Sequence, residues 1–596
     1  MSDVKSFYSI PTSGAAVWLE NDEIAYLNNA SGVLQIWKTN LKGAEPKQVT
    51  FLGERIWRLA GTPSHKDLLF ASDMGGNEQE QIFLVREGQE PVNLTNNPAA
   101  RHYLGGMAPD GKTIYFSCNK RNPANFDICK MDIEKKEVEI VLENSDNYNN
   151  PCGVSPDGVY MLYNKLKGMS DNKMWIINMH TAEAKDVDPA GSFAQYEHPA
   201  WKSDSTGFFL TTDVNSEFTY VAYYDVASAK LTKVYEADWD VESISLSSDD
   251  RYLAMVVNVD GCGDLRVLDL KQNTLVNTAK PPKGFINTYA GIEWSPAGHK
   301  LLFNFSSGKR PACVWVLDMD ADQVSRVTDS PLGDINPDEM AEAELREFHS
   351  FDGLRVPYWY YKAPGTKTPG PVVLEIHGGP EGQEFCNFTP LIQYLVSQGF
   401  SVVAPNVRGS VGYGKKYHHL DDVEKRLDSV HDVACLVEHL IETGIADPKR
   451  IAVMGASYGG YMTLASITNY PDLWAAAIDT VGMSNLETFL ENTAEYRRSH
   501  RESEYGTLAK DRETLRRVSP IHKVDKIVAP LMVIHGANDP RVPVTEADQI
   551  VASLEKRGVP VKYLRYPDEG HGLSKRKNQF DCYPQVAAFL KEHLMG

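Results

Sequence analysis

The chain has 596 residues, of which 42% are apolar and 23% are charged, with 44 glycines and 33 prolines. This composition supports large folded cores and excludes a disordered, collagen-like or coiled-coil protein. The formal net charge of −20 repels a phosphate backbone, so we expect no nucleic-acid partner. The length is about four times a typical domain of ~150 residues and predicts more than one domain.

The first half of the chain repeats one turn motif, a Ser-Pro-Asp-Gly-like sequence that leads into an apolar strand. Seven anchor positions, at residues 20, 63, 109, 156, 203, 248 and 296, follow one another at intervals of 43 to 48 residues. Proline fixes φ in such a turn, and Asp and Gly supply side-chain bonds or a positive φ. A repeat of ~40–50 residues with several strands is typical of a propeller blade. We therefore predict a seven-bladed β-propeller over residues 1–327, with a solenoid as the alternative.

The pattern changes after an acidic stretch that we interpret as a linker over residues 328–347. Apolar strands are predicted at 372–376, 400–404, 451–454, 531–534 and 561–566, and they alternate with amphipathic helices such as 432–442. Strands that alternate with helices indicate a mostly parallel, doubly wound sheet with helices on both faces. Residues 348–596 are thus predicted to form an α/β-hydrolase domain.

One motif in this domain predicts a nucleophile. The strand at 451–454 runs into Gly455-Ala456-Ser457-Tyr458-Gly459, and a helix is predicted to follow at 461–469. The G-x-S-x-G sequence between a strand and a helix places its serine on a sharp, strained turn. The hydroxyl of Ser457 is then exposed for attack, and the amide of Tyr458 at the helix start can stabilise an oxyanion.

A serine nucleophile requires a base and an acid further along the chain. His571 lies between two glycines on the loop after the strand at 561–566, and Asp539 lies on the loop after the strand at 531–534. The order Ser, Asp, His is the one that α/β-hydrolases use. Asp568 and Asp548 compete for the role of the acid. The second oxyanion donor is expected from the loop after the strand at 372–376, which reads His-Gly-Gly-Pro at 377–380.

Four local motifs, together with the propeller, resemble the prolyl oligopeptidase family of serine peptidases. They are HGGP at 377–380, NVRGS at 406–410 with GYG at 412–414, GASYGGYM at 455–462 and DPRVP at 539–543. The forms of the first and third motifs are most similar to the acylaminoacyl-peptidase branch. The dipeptidyl-peptidase branch captures a free substrate N-terminus with paired glutamates, and only residues 238–242 match that pattern in part. Strict dipeptidyl release is therefore less favoured.

The resemblance implies roles for individual residues. Ser457, Asp539 and His571 match the catalytic triad, the amides of Tyr458 and Gly379 match the oxyanion donors, and Arg541 matches the arginine that holds a substrate carbonyl. A guanidinium offers several donors in a fixed fork, which suits that task.

These roles predict a serine peptidase that hydrolyses short peptides through an acyl-enzyme, with the propeller limiting substrate size. Release of an N-acylated residue and internal cleavage of oligopeptides both fit. The alternatives are a carboxylesterase or amidase, a dipeptidyl- or aminopeptidase, and a binding propeller with an inactive hydrolase domain.

The sequence contains no motif that predicts a cofactor, a membrane span or a secretory signal. Residues 1–16 lack the features of a secretory signal, and no run of ~18 apolar residues occurs, so we expect no membrane partner. The eight cysteines form no CxxC pair, which favours free thiols in the cytoplasm over disulfides or a zinc site. No metal and no other cofactor is predicted, and a homo-oligomer stays open.

Overall fold

The computed structural model describes residues 3–146, 148–168 and 170–596. In these residues, seven small antiparallel sheets follow one another along the first half of the chain, and each consists of strands that are consecutive in sequence. In chain order the strands are Ser13–Trp18, Glu23–Asn28, Gln35–Asn40 and Lys47–Gln48; Ile56–Gly61, Leu68–Ser72, Gln81–Val85 and Val92–Asn93; His102–Met107, Thr113–Asn122, Asn125–Asp132 and Val138–Leu142; Asn149–Val154, Tyr160–Leu166, Asn172–Asn178 and Ala184–Asp186; Tyr196–Trp201, Gly207–Thr212, Tyr220–Asp225 and Lys230–Tyr235; Val241–Leu246, Tyr252–Val259, Cys262–Asp269 and Thr274–Leu275; and Phe285–Ile286, Ile292–Trp294, Lys300–Ser307, Arg310–Asp318 and Gln323–Arg326. The predicted seven-bladed propeller is confirmed, and the solenoid is wrong.

The repeated turn has the chemistry that its sequence predicts. In the fourth blade, the hydroxyl of Ser155 donates to Asp157 Oδ1 at 2.6 Å, and the amide of Val159 donates to the same oxygen at 3.0 Å. Gly158 takes a φ of 73°, a left-handed conformation that glycine adopts without steric strain. This turn joins the first and second strands of the blade.

The ring closes by side-chain packing between the first and last blades. The hydroxyls of Ser13 and Thr328 are hydrogen-bonded at 3.0 Å, and the indole of Trp18 donates to the carbonyl of Glu293 at 3.1 Å. Trp18 and Tyr26 share an apolar cluster with Leu302 of the last blade.

The second half of the chain forms one sheet of eight strands with helices around it, which confirms the predicted α/β-hydrolase class. In spatial order the strands are Glu344–His349, Arg355–Tyr361, Ser401–Pro405, Gly370–Ile376, Ala446–Ala456, Ala476–Thr480, Leu531–Gly536 and Val561–Tyr566. The first strand pairs antiparallel with the second, the second pairs antiparallel with the third, and the remaining pairs are parallel. The α-helices of the described chain are Val4–Tyr8, Pro390–Ser397, Lys415–His418, Arg426–Glu442, Tyr458–Asn469, Leu486–Asn492, Glu495–Tyr505, Arg512–Val518, Thr545–Lys556 and Arg576–Leu594.

The segments on both sides of the propeller pack on the hydrolase domain, which differs from the domain boundaries that we predicted. Strand Glu344–His349 belongs to the hydrolase sheet, so this sheet begins inside the segment 328–347 that we interpreted as a linker. Helix Val4–Tyr8 lies against the hydrolase, where the ring of Tyr8 stacks on Tyr583 with 4.6 Å between centroids. The apolar side chains of this helix, Val4 and Phe7, are buried in the core of the hydrolase domain.

Candidate active site

Ser457 lies on a strained turn between strand Ala446–Ala456 and helix Tyr458–Asn469. Its backbone takes φ 60° and ψ −116°, outside the regions that an L-residue favours. The turn requires glycine on both sides: a Cβ on Gly455 would lie 2.5 Å from the carbonyl carbon of Gly459, and one on Gly459 would collide with the carbonyl of Ile376. The helix begins directly after Ser457, earlier than the predicted start at 461, because the turn itself supplies its first residues.

His571 and Asp539 are joined by a short hydrogen bond at the carboxyl edge of the sheet. His571 Nδ1 lies 2.6 Å from Asp539 Oδ2. Asp539 Oδ1 accepts the amides of Arg541 at 2.8 Å and Val542 at 3.0 Å, which orient the carboxylate. The carboxylate is fully buried, whereas the imidazole is 12% exposed and can reach a substrate.

The two competing carboxylates bind elsewhere. Asp568 contacts Lys577 at 2.7 Å and accepts from the amide side chain of Asn578 at 3.0 Å, and these partners lower the pKa of Asp568 to about 2. Asp548 lies in helix Thr545–Lys556 and accepts from the hydroxyl of Tyr563 at 2.8 Å. Of the three candidates, the structure brings Asp539 to His571.

The loop at 377–380 lies directly beside the turn of Ser457. A Cβ on Gly378 would be 3.4 Å from Ser457 Cβ. His377 shapes this loop, because its Nε2 is 2.8 Å from the hydroxyl of Ser410 and its Nδ1 is 2.8 Å from the carbonyl of Gly378. Among the described residues, neither the amide of Gly379 nor that of Tyr458 donates a hydrogen bond, so both are available to a ligand.

The side chain of Tyr458 is fixed by a buried charged network that sequence reasoning missed. Its hydroxyl lies 2.9 Å from Asp421 Oδ2 and 2.9 Å from Ser429 Oγ. Arg426 forms ion pairs with both Asp421 and Glu504 and is 1% exposed. Burial raises the pKa of Asp421 to about 7, although the positive charge of Arg426 acts in the opposite direction. The network holds the backbone that follows Ser457.

Arg541 is paired with a glutamate of the propeller, Glu78. Glu78 is 1% exposed and forms ion pairs with Arg541, with Arg497 at 2.5 Å and with Arg101 at 3.5 Å. Burial opposes ionisation of Glu78, but the positive charges of Arg497, Arg541 and Arg101 outweigh it and hold the pKa of Glu78 well below its ordinary value. Glu78 accepts from Arg541 Nε, and the two terminal nitrogens of Arg541 donate no hydrogen bond to the described residues.

The propeller loop before Glu78 packs on both loops that carry the predicted acid and base. A Cβ on Gly76 would lie 2.5 Å from the amide nitrogen of Gly570, the neighbour of His571. The side-chain amide of Asn538, next to Asp539, donates to the carbonyl of Gly75 at 3.0 Å. The Gly75-Gly76 pair was the one available sequence signal for this contact, since glycine permits close backbone approach.

An acid-lined cavity of about 290 Å³ lies between the propeller and the hydrolase, beside the loop at 377–380. Among its lining residues are the propeller carboxylates Asp240 and Glu242 and the hydrolase residues Glu381 and His418. Burial raises the pKa of Asp240 to about 6 and that of Glu242 to about 7. Burial, reinforced by the charge of Glu504, raises the pKa of Glu381 to about 8. The cavity therefore gains negative charge as the pH rises through neutrality.

No helix within the described residues combines the length and the apolar character that crossing a membrane requires.

Comparison with known families agrees with both halves of the chain. Residues 54–330 match the family model described as the N-terminal β-propeller domain of prolyl oligopeptidase, and residues 386–596 match the model of the prolyl oligopeptidase family. Among solved structures, a puromycin-hydrolyzing peptidase of Mycobacterium tuberculosis has the same fold, with a TM-score of 0.87, 19% identity, and coverage of 100% of this chain and 96% of that one.

Three curated relatives have names from two branches. Dipeptidyl peptidase family member 6 of Caenorhabditis elegans is 38% identical over 38% of this chain and 32% of its own length. Dipeptidyl aminopeptidase BIII of Pseudoxanthomonas mexicana is 26% identical over 96% of this chain and 85% of its own. The acylamino-acid-releasing enzyme of Arabidopsis thaliana is 32% identical over 37% of this chain and 30% of its own. The chain thus spans about a third of the length of the first and third relatives. With a seven-bladed propeller, a hydrolase sheet and matches to both family models, this chain belongs to the prolyl oligopeptidase family of serine peptidases.

Proposed function

We propose that the chain hydrolyses short peptides through an acyl-enzyme on Ser457. The observation that carries this proposal is the 2.6 Å hydrogen bond between His571 and Asp539 at the edge of the sheet where Ser457 occupies its strained turn. An imidazole oriented by a buried carboxylate is the base that a serine nucleophile needs.

In the proposed reaction, Ser457 Oγ attacks the scissile carbonyl while His571 takes the hydroxyl proton. Asp539 holds the imidazole in one tautomer and stabilises the imidazolium. The amides of Tyr458 and Gly379 donate to the oxyanion. Collapse of the intermediate breaks the C–N bond, and the leaving amine takes the proton from His571. A water molecule then attacks the acyl-enzyme by the same route and restores Ser457.

Arg541 is proposed to bind a peptide carbonyl of the substrate. Glu78 engages its Nε, which leaves the donors of the two terminal nitrogens for the ligand. The ion pair also places negative charge beside this guanidinium, whose side chain is 32% exposed. A small ester that lacks a second carbonyl would gain nothing from this residue.

The propeller is proposed to limit substrate size, since its loop at Gly75-Gly76 packs on the loops of Asp539 and His571 and narrows the approach to these residues.

A cytoplasmic location is proposed for the protein. All eight cysteines are free thiols, which is the state that a reducing compartment maintains.

A second candidate is the release of dipeptides from a free N-terminus. Asp240 and Glu242 line the cavity beside the loop of Gly379, and ionised carboxylates there would attract an α-ammonium group. One relative is named a dipeptidyl peptidase family member and another a dipeptidyl aminopeptidase, while a third is named for the release of acylamino acids. A comparison of substrates with blocked and with free N-termini therefore decides between the two candidate functions.

The experiment compares kcat/KM for three substrate types: an acylated amino-acid anilide, the matching dipeptide anilide with a free N-terminus, and a short-chain aryl ester. Turnover of either anilide, lost together with fluorophosphonate labelling in Ser457→Ala, is the expected result. Turnover of the ester alone would favour a carboxylesterase. Absence of labelling in the wild-type chain would favour a binding propeller with an inactive hydrolase domain.

A further inference from the structure

Three side chains beside the acid-lined cavity, at the domain interface, place possible metal-ligand atoms close together. Glu381, His418 and Glu504 each place one oxygen or nitrogen within 4.8 Å of the other two. Glu381 comes from the segment after the loop at 377–380, His418 ends helix Lys415–His418, and Glu504 lies in helix Glu495–Tyr505. Three separate segments of the hydrolase therefore converge on one point.

Two of these side chains have buried polar atoms without a hydrogen-bond partner. Both carboxylate oxygens of Glu381 are buried and unpaired, and so is His418 Nε2. His418 itself is 6% exposed. Native proteins satisfy nearly all buried polar atoms, so three unpaired atoms on two neighbouring side chains indicate a place for a ligand. Two carboxylates and a neutral imidazole would be matched by a cation.

The charges nearby leave room for a divalent ion. Arg426 engages one oxygen of Glu504, and the second oxygen of that carboxylate accepts no hydrogen bond from the described residues. In a neighbouring acidic cluster, Asp421, Asp422 and Glu504, one oxygen of each aspartate is also unpaired. Both aspartates nevertheless have a basic partner, because Arg426 pairs with Asp421 and His419 lies 2.8 Å from Asp422. Glu381 and His418 form no ion pair with any described residue, although Arg501 and Arg426 place positive charge near Glu381.

We propose that Glu381, His418 and Glu504 form a binding site for a divalent transition-metal ion of the Zn²⁺ class. One imidazole nitrogen and two carboxylate oxygens are ligands that Zn²⁺ accepts, with bonds of about 2.0–2.2 Å. A tetrahedral ion would hold such atoms roughly 3.3–3.6 Å apart, so small movements of the side chains suffice. The oxygen-only sites that Mg²⁺ prefers lack the imidazole.

An ion can reach the site from two sides. Glu381 and His418 line the cavity of about 290 Å³, and Glu504 lines an adjoining cavity of about 350 Å³. Bound Zn²⁺ would tie the segment that follows Gly379 to the helix of Glu504. That connection reaches the loop of one proposed oxyanion donor, although the binding itself does not depend on the proposed peptidase activity.

The test measures Zn²⁺ binding by the chelator-stripped full-length chain, without substrate, by calorimetry and by competition with a zinc-responsive dye. Glu381→Gln keeps the shape of a side chain that has no hydrogen-bond partner, and His418→Gln removes the imidazole. We expect each variant to lose one Zn²⁺ per chain or to weaken that site at least about 10-fold. Glu197→Gln, a carboxylate of the same cavity outside the group, should bind as the wild type does.

The proposal also predicts that Zn²⁺ raises the melting temperature of the wild type and not that of Glu381→Gln, because a ligand stabilises the state that binds it. Equal stoichiometry and affinity in the wild type and Glu381→Gln would overturn the site and leave a protonated Glu381 without an ion. Equal competition by Mg²⁺ would overturn the role of His418. Neither result would bear on the acyl-enzyme at Ser457, which fluorophosphonate labelling tests separately.

Discussion

Glu78 of the propeller and Arg541 of the hydrolase form an ion pair across the domain interface, 463 positions apart in sequence. The arginine follows the proposed catalytic acid by two residues, and the glutamate is buried and also paired with Arg497. One propeller side chain thus both positions Arg541, the proposed substrate-binding group, and stabilises the interface.

Replacement of Glu78 should destabilise the protein. Glu78→Gln leaves three guanidinium groups without their shared anion, and removal of one partner of a buried ion pair is expected to lower the free energy of unfolding by about 3–5 kcal/mol. Denaturant unfolding measures the difference. The control is Glu54→Gln, which breaks a more exposed interdomain pair with Lys575 at 3.4 Å. A change in Glu78→Gln no larger than in this control contradicts the prediction.

The pH dependence of that difference follows from the lowered pKa of Glu78. A carboxylate whose folded pKa is depressed stabilises the fold above its unfolded pKa, near 4.3 for glutamate, and loses this contribution as the pH falls further. The stability gap between wild type and Glu78→Gln should therefore be constant from pH 6 to 8. A gap that changes steeply within that range would show that other titrating groups control it.

Asp539→Asn should nearly abolish peptide hydrolysis. The amide favours the wrong tautomer of His571, and the corresponding change in a serine protease triad lowers kcat about 10⁴-fold. The matched control is Asp568→Asn, because Asp568 lies on the loop of His571 but binds Lys577 and Asn578. Steady-state kinetics should show the control within a few-fold of wild type. Equal losses in both variants would contradict the assignment of the acid.

Arg541 should separate peptide from ester turnover. Arg541→Ala removes the proposed donors to a peptide carbonyl, so kcat/KM for an anilide should fall about 10- to 100-fold, the equivalent of roughly 1.4–2.8 kcal/mol, while a small aryl ester is little affected. Arg541→Lys keeps the charge without the fork and should recover part of the peptide activity. The role is wrong if both substrates lose activity in proportion.

Glu242 should make the preference for free N-termini depend on pH. Its raised pKa of about 7 means that the acid-lined cavity gains charge between pH 6 and 7.5, while an α-ammonium group is still protonated. The ratio of kcat/KM for free and blocked peptides, in which the titration of the base cancels, should rise over this range. Glu242→Gln should flatten the rise. A ratio that is independent of pH in the wild type would exclude an amine subsite at Glu242.

The local motifs predicted more of this molecule than its length did. The seven turns specify the propeller because each unit is built from strands that are neighbours in sequence, and the turn chemistry of Ser155 and Asp157 is complete within one short segment. Ser457, Asp539 and His571 were predictable for a related reason. Each follows a strand of the parallel sheet, so the carboxyl ends of those strands had to bring them to the same edge.

Sequence patterns by themselves determined the fold class and the three residues that we propose as the triad. The tertiary structure showed that Asp539, and neither Asp568 nor Asp548, meets His571. It alone decided that Glu78 pairs with Arg541 and that Glu381, His418 and Glu504 converge. The physical reason is the range of the contacts. Turns, strands and helix starts depend on residues a few positions apart, whereas ion pairs and ligand sets join segments hundreds of positions apart, which only the packing of the propeller on the hydrolase brings together.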